Sequence, residues 1–118
     1  MDRYALGVKG EKMAYDYLES KGYEMLATNV NYPQIGELDI VAKDGQTLVF
    51  VEVRTRADNS FGHPLETFTK AKQQKVVKAS RRYIMQYKPK ANEYRYDAVA
   101  IINEQIIHIP NAFYAKWK

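Results

Sequence analysis

The chain has 118 residues, no cysteine, 46% apolar residues and a formal net charge of +4. That length suits about one domain, and the lack of cysteine excludes a disulfide framework and a cysteine-based zinc site. No apolar run approaches the ~20 residues of a membrane span. Met1 to Lys12 is polar and charged, so a secretory signal is not expected; a cytoplasmic protein with no membrane contact is.

The elements follow in chain order. Residues from about Arg3 to Lys21 read as a helix, with Ala14, Tyr17 and Leu18 at helical spacing and Gly22 as its stop. Gly7 and Gly10 weaken its first turn, which leaves a later onset open. Tyr23 to about Tyr32 reads as a strand that Pro33 interrupts. Glu37 to Lys43 is a second strand, and Asp44-Gly45 a turn signal. Thr47 to Arg54 is a third, with the run Leu48-Val49-Phe50-Val51 expected to be buried on both faces. A polar loop follows, Thr55 to about Leu65. A second helix is expected from Thr69, a plausible N-cap, to Tyr87, with Val76, Ala79, Tyr83, Ile84 and Tyr87 as its apolar stripe. Tyr94 to Ile102 and Gln105 to Ile109 complete the set, with Asn103-Glu104 as the turn between them. The order α-β-β-β-α-β-β predicts an α/β fold, a mixed sheet flanked by helices.

Charge is distributed unevenly. Residues 1–66 hold 11 acids and 7 bases, whereas residues 67–92 hold 8 bases and no acid. The bases include Lys70, Lys72, Lys75 and Lys78 on the second helix. A stretch of one sign suits a polyanion, although a merely solvated helix face has the same composition.

Three acids stand where packing alone would not put them. Strand side chains alternate between faces, so Glu37, Asp39 and Val41 share one, and Leu48, Phe50, Glu52 and Arg54 share another. Glu52 thus lies inside the most apolar strand of the chain. A carboxylate there costs several kcal/mol, roughly, unless it is paired or binds a cation. A hairpin through Asp44-Gly45 brings Asp39 near Glu52, and a divalent ion relieves their repulsion; magnesium commonly takes one or two carboxylates. Glu11 is seven residues before Leu18, nearly in line with it on the helix, and is expected to face the sheet. The competing account is structural: Asp39 and Glu52 form a buried ion pair with Arg54, and Glu11 pairs with a lysine or caps a buried polar group. Asp97 is expected to be structural, and His63 and His108, lacking ligand spacing, structural or solvated.

The segment Gly36-Glu37-Leu38-Asp39-Ile40, followed by Val49-Phe50-Val51-Glu52-Val53-Arg54-Thr55-Arg56, resembles the PD-(D/E)xK nuclease pattern. Together with Gly10-Glu11, Ala14, Leu18, Gly22-Tyr23, Asn29, Phe61-Gly62, Pro64, Thr69, Lys72, Tyr96-Asp97-Ala98-Val99-Ala100, Ile109 and Asn111-Ala112-Phe113, the chain is similar to the YraN-like family of small bacterial proteins. The resemblance implies a restriction-endonuclease-like core, related to archaeal Holliday-junction resolvases, and a metal-dependent endonuclease acting on phosphodiesters of DNA, branched DNA included. It implies Mg2+ or Mn2+ at Asp39 and Glu52, with Glu11 beside the ion. Arg54 occupies the basic position where the superfamily usually has lysine. It holds phosphate or developing charge but is a poor proton shuttle; Lys72 is the candidate for the missing ammonium. The expected chemistry is hydrolysis by a metal-activated water, with Arg54 and Lys72 stabilising the transition state. Arg54, Arg56, Lys70, Lys72, Lys75 and Lys78 are the expected nucleic-acid contacts. Resolvase-like relatives leave a homodimer open. The alternatives are a non-catalytic nucleic-acid-binding module of the same fold, which Arg54 favours, and a protein-interaction module whose acids form an ion-pair network.

Overall fold

In the computed structural model, residues 3–58, 66 and 68–115 are described. His63, and with it Phe61-Gly62 and Pro64, lies outside the described residues. The elements are α1 (Arg3–Ser20), β1 (Glu24–Tyr32), β2 (Gly36–Asp44), β3 (Thr47–Arg56), α2 (Lys70–Tyr87), β4 (Glu93–Ile102) and β5 (Gln105–Phe113). The order is the predicted α-β-β-β-α-β-β.

The five strands form one mixed sheet in sequence order. β3 and β4 are parallel, with α2 in the connection between them, and the other three pairings are antiparallel. One helix covers each face. Val76, Ala79 and Tyr83 of α2 pack on Leu38, Val41, Leu48, Phe50 and Tyr96. Ala14 and Leu18 of α1 pack on Ile40, Val49, Val51, Val99 and Ile101. Every residue from Leu48 to Val53 is buried, because β3 is central and covered on both sides. Each large apolar side chain buried this way contributes about 1.5–3 kcal/mol.

Local signals fix the element ends. Gly22 adopts φ 92° beyond α1. Gly22 N–H donates to Glu19 O and Tyr23 N–H to Leu18 O, closing the helix in a Schellman arrangement. Thr69 caps α2, its hydroxyl accepting from Lys72 N–H at 3.3 Å.

α1 runs from Arg3, as the spacing predicts, despite Gly7 and Gly10, and two later boundaries differ from the sequence reading. Gly10 is there for contact: a Cβ on it would lie 2.0 Å from Thr55 Oγ1, so α1 crosses β3 at the distance only glycine permits. β3 continues to Arg56, since parallel β4 pairs with it as far as Ile102; Thr55 and Arg56 are strand residues, not loop. β5 runs through Pro110 to Phe113. It is an edge strand, where a proline's missing N–H need not break a ladder.

Candidate functional site

The β2–β3 ladder pairs Asp44↔Thr47 through Ile40↔Val51. At the next step, side chains take over the backbone's role. Asp39 N–H donates to Glu52 Oε2 at 3.2 Å, and Val53 N–H donates to Asp39 Oδ2 at 2.8 Å. Each carboxylate thus accepts from the other's strand where the two strands part. The alternation expected along β2 also breaks here. Leu38 joins the α2-side core and Ile40 the α1-side core, although residues two apart in a regular strand share a face. The reading that Glu37, Asp39 and Val41 share one face therefore fails across this step, and the reciprocal bonds bring Asp39 to Glu52 instead.

The irregularity has a partner in β1. The pairs Thr28↔Ile40 and Val30↔Leu38 flank Asn29 and Asp39, and Asn29 has φ 51°. Asparagine tolerates this left-handed conformation better than most residues. Its side chain also lies near enough to Glu11 to oppose the rise of that acid's pKa, so one residue bends the strand and stands between α1 and the acids.

The electrostatics of the cluster are those of too much negative charge in too little water. Glu52 is buried, and burial followed by the charge of Asp39 pushes its pKa well above 4.5. Asp39 is raised as well, by burial first, against the pull of Val53 N–H and Arg54. Glu11 is raised by burial, then by Asp39, with Asn29 opposing. A nearby cation reverses these directions.

Arg54 does not neutralise the pair. Its Nη1 lies 3.8 Å from Asp39 Oδ2, and donates instead to Val53 O at 3.0 Å. Its guanidinium lies 5.2 Å from the centre of the Phe68 ring, and its buried Nε has no hydrogen-bond partner. The ion pair of the structural account is thus present in part: Arg54 pairs loosely with Asp39, and among the described residues no ion pair joins it to Glu52. A cleft of about 400 Å3 opens beside the acids, lined by Glu37, Glu52, Arg54, Lys72, Lys75 and the turn before β2. Gly36 closes one end: a Cβ on it would lie 2.6 Å from Lys75 O, so this turn sits directly against α2. Among the described residues, no three or more Asp, Glu or His side chains form a ready-made metal cage. The donor set is two neighbouring carboxylates with a third acid beside them, which suits an ion that keeps part of its water shell.

Residues 10–101 match the family described as "Uncharacterised protein family UPF0102". The chain belongs to this family. A UPF0102 protein of Thermodesulfovibrio yellowstonii is 45% identical over 114 residues, covering 97% of this chain and all of the relative. One from Persephonella marina is 37% identical, covering 91% of each chain, and one from Vibrio cholerae is 42% identical, covering 84% of this chain and 81% of the relative. UPF0102 is the YraN family that the sequence motifs resemble, and the matched span begins at Gly10 and includes every residue of the acid cluster.

In this UPF0102 member, the expected site residues divide between several places. Asp39 and Glu52 meet directly, and Glu11 is close enough to feel the charge of Asp39. Arg54, Lys72 and Lys75 line the cleft with Glu52. Arg56 faces a different cavity, between α1 and the β4–β5 turn. Lys70 and Lys78 are exposed on α2 and do not line the cleft. Asn29 and Glu37 belong to the cluster but carried no assigned role in the sequence reading. A left-handed asparagine inside a strand leaves no periodic signal, and Glu37 looks like any polar strand residue.

No described helix is long and apolar enough to cross a membrane.

Proposed function

We propose that this UPF0102 protein is a metal-dependent nuclease that hydrolyses DNA phosphodiesters. The observation that carries this reading is the meeting of Asp39 and Glu52 where β2 and β3 part, both raised in pKa, beside a cationic cleft. Buried acids that repel one another and lack a full cation partner suit a divalent ion. Asp39 and Glu52 would hold Mg2+ or Mn2+, and Glu11 would border it. Such an ion polarises a phosphate and acidifies water.

The chain's own groups do the rest. Arg54 lines the cleft, where a guanidinium suits a phosphate oxygen. Lys72 and Lys75 extend the same cationic wall and hold charge that develops on the phosphate. α2 carries Lys70 and Lys78 further along for flanking phosphates. Glu11, its pKa raised by burial and by Asp39, is a candidate for handling the proton of the attacking water.

The second reading, a nucleic-acid-binding module without catalysis, is favoured by Arg54 alone, since a guanidinium stays protonated and does not relay protons. Linear and branched DNA incubated with Mn2+ separate the two. Cleavage by the wild type, lost in Glu52→Gln with DNA binding kept, is the expected outcome. Binding without cleavage under any divalent metal supports the module instead. A wild-type melting temperature that rises with Mn2+, and rises far less in Glu52→Gln, reports the ion independently of turnover.

A further inference from the structure

The second cavity, of about 310 Å3, lies on the opposite face of the sheet from the lysine cleft. Leu6 and Met13 of α1 and Ile101 of β4 supply apolar walls; Thr55, Arg56 and Asn103 supply polar groups. Its size is at the lower end of small-molecule sites, about 300–1,000 Å3. It adjoins the acids at two points. Gly10 lines it, and the next residue is Glu11. Thr55 is three residues beyond Glu52 on β3, hence roughly 10 Å away at ~3.3 Å per residue.

We propose that this cavity receives a single unstacked nucleobase of the strand whose phosphate lies at Asp39 and Glu52, so that the protein acts on single-stranded or locally opened DNA. This rests on the nuclease reading above. Three features select a base. The apolar walls offer contact to a flat ring of any identity, the way sequence-tolerant single-strand binders hold bases. The Asn103 carboxamide carries both donors and an acceptor, which matches a base edge. Arg56 stands at the same cavity and suits a phosphate beside that base, while Lys9 there is engaged by Glu104. The rim is also held in place. Asn103 and Glu104 form the β4–β5 turn with φ 49° and 64°, and Glu104 forms an ion pair with Lys9 of α1. Two non-glycine residues in the left-handed region cost stability. Here they present Asn103 to the cavity and fasten the turn to the helix.

The test uses the full-length protein in chelator at low salt, with three fluorescent probes: a single-stranded oligodeoxynucleotide, the same strand carrying several abasic sites, and the matching duplex. The wild type is expected to bind the intact strand about tenfold more tightly than the abasic strand, in line with ~1–3 kcal/mol per stacked base. Ala57→Trp fills the cavity from an exposed position on its lining. It should shrink that difference to within about twofold, with duplex affinity unchanged. Asn103→Gly suits the turn's backbone and removes only the carboxamide; it should weaken intact-strand binding about threefold. Equal wild-type affinity for intact and abasic strands, or a base preference that survives both substitutions, overturns the cavity assignment and leaves the nuclease reading standing. Failure of the wild type to bind any of the probes overturns both.

Discussion

Glu52 and Asp97 are buried acids on adjacent parallel strands, with Ala98 opposite Glu52 and Val51 opposite Asp97. They point to opposite faces, and their surroundings are opposite in kind. Asp97 Oδ1 accepts from Arg95 Nε at 2.8 Å and Asn111 N–H at 3.1 Å; Oδ2 accepts from Arg95 Nη2 at 3.1 Å and lies 2.8 Å from His108 Nε2. Burial would raise its pKa, but His108, Arg95 and Asn111 together hold it below 3.8. Tyr23 accepts from Arg95, and the Tyr17 and Tyr23 rings meet His108 edge-on. Glu52 has Asp39 N–H, a second carboxylate and a distant guanidinium, and is raised. One acid has its partners supplied by the fold. The other is left short of them, which is the state expected of a group reserved for a ligand.

The sharpest way to break this contrast is to substitute each acid with its amide. Glu52→Gln keeps the acceptor for Asp39 N–H and removes charge. DNA cleavage should fall by at least ~100-fold, the scale of losing a key polar group in an active site, while metal-free stability at pH 7 holds or rises. Clear destabilisation in metal-free melts would make Glu52 a structural partner instead. Asp97→Asn should destabilise the fold by about 3–5 kcal/mol, because it leaves the Arg95 charge without its buried partner. Denaturant titration reads this directly; a loss under ~1 kcal/mol would place Asp97 among ordinary surface-like pairs.

The pH dependence should carry opposite signs. Glu52 has a folded pKa above its unfolded 4.5, so the folded state binds the extra proton. Its destabilising effect is absent below 4.5 and grows as pH rises through the raised value. Asp97 has a folded pKa below 3.8; its contribution is present above 3.8 and lost as pH falls through the lowered value. Metal-free melts from pH 3 to 8 should show the advantage of Glu52→Gln over wild type appearing as pH rises above 4.5. A pH-independent difference between them would remove burial and repulsion as its cause.

The smallest expected effect concerns the charge around the cleft. Lys75→Ala should reduce the log–log salt slope of DNA binding by roughly one unit, and replacing Lys70, Lys72, Lys75 and Lys78 together should nearly flatten it. Salt titrations of both variants measure this. An unchanged slope in the fourfold variant would make the α2 lysines a solvated face.

Much of this molecule was legible in its sequence, for a simple reason. Helical spacing, the Leu48–Val53 run, Gly22, Asp44-Gly45 and Thr69 act locally, and the seven elements appear in the predicted order. The likeness of the chain as a whole to the YraN-like family was equally visible, and the family match over residues 10–101 bears it out. Long-range packing decided the rest. Alternation assigns Asp39 a face, but the matched irregularity at Asn29 and Asp39 turns the strand, and no pattern in one strand encodes the bend of its neighbour. Gly10 reads as a helix weakener until Thr55 is placed beneath it. Asp97 and Glu52 look alike in sequence, each an acid in an apolar strand. Only the tertiary structure brings Arg95, His108 and Asn111 to one and leaves the other facing a second carboxylate, because hydrogen bonds and charge depend on distance across the sheet and not along the chain.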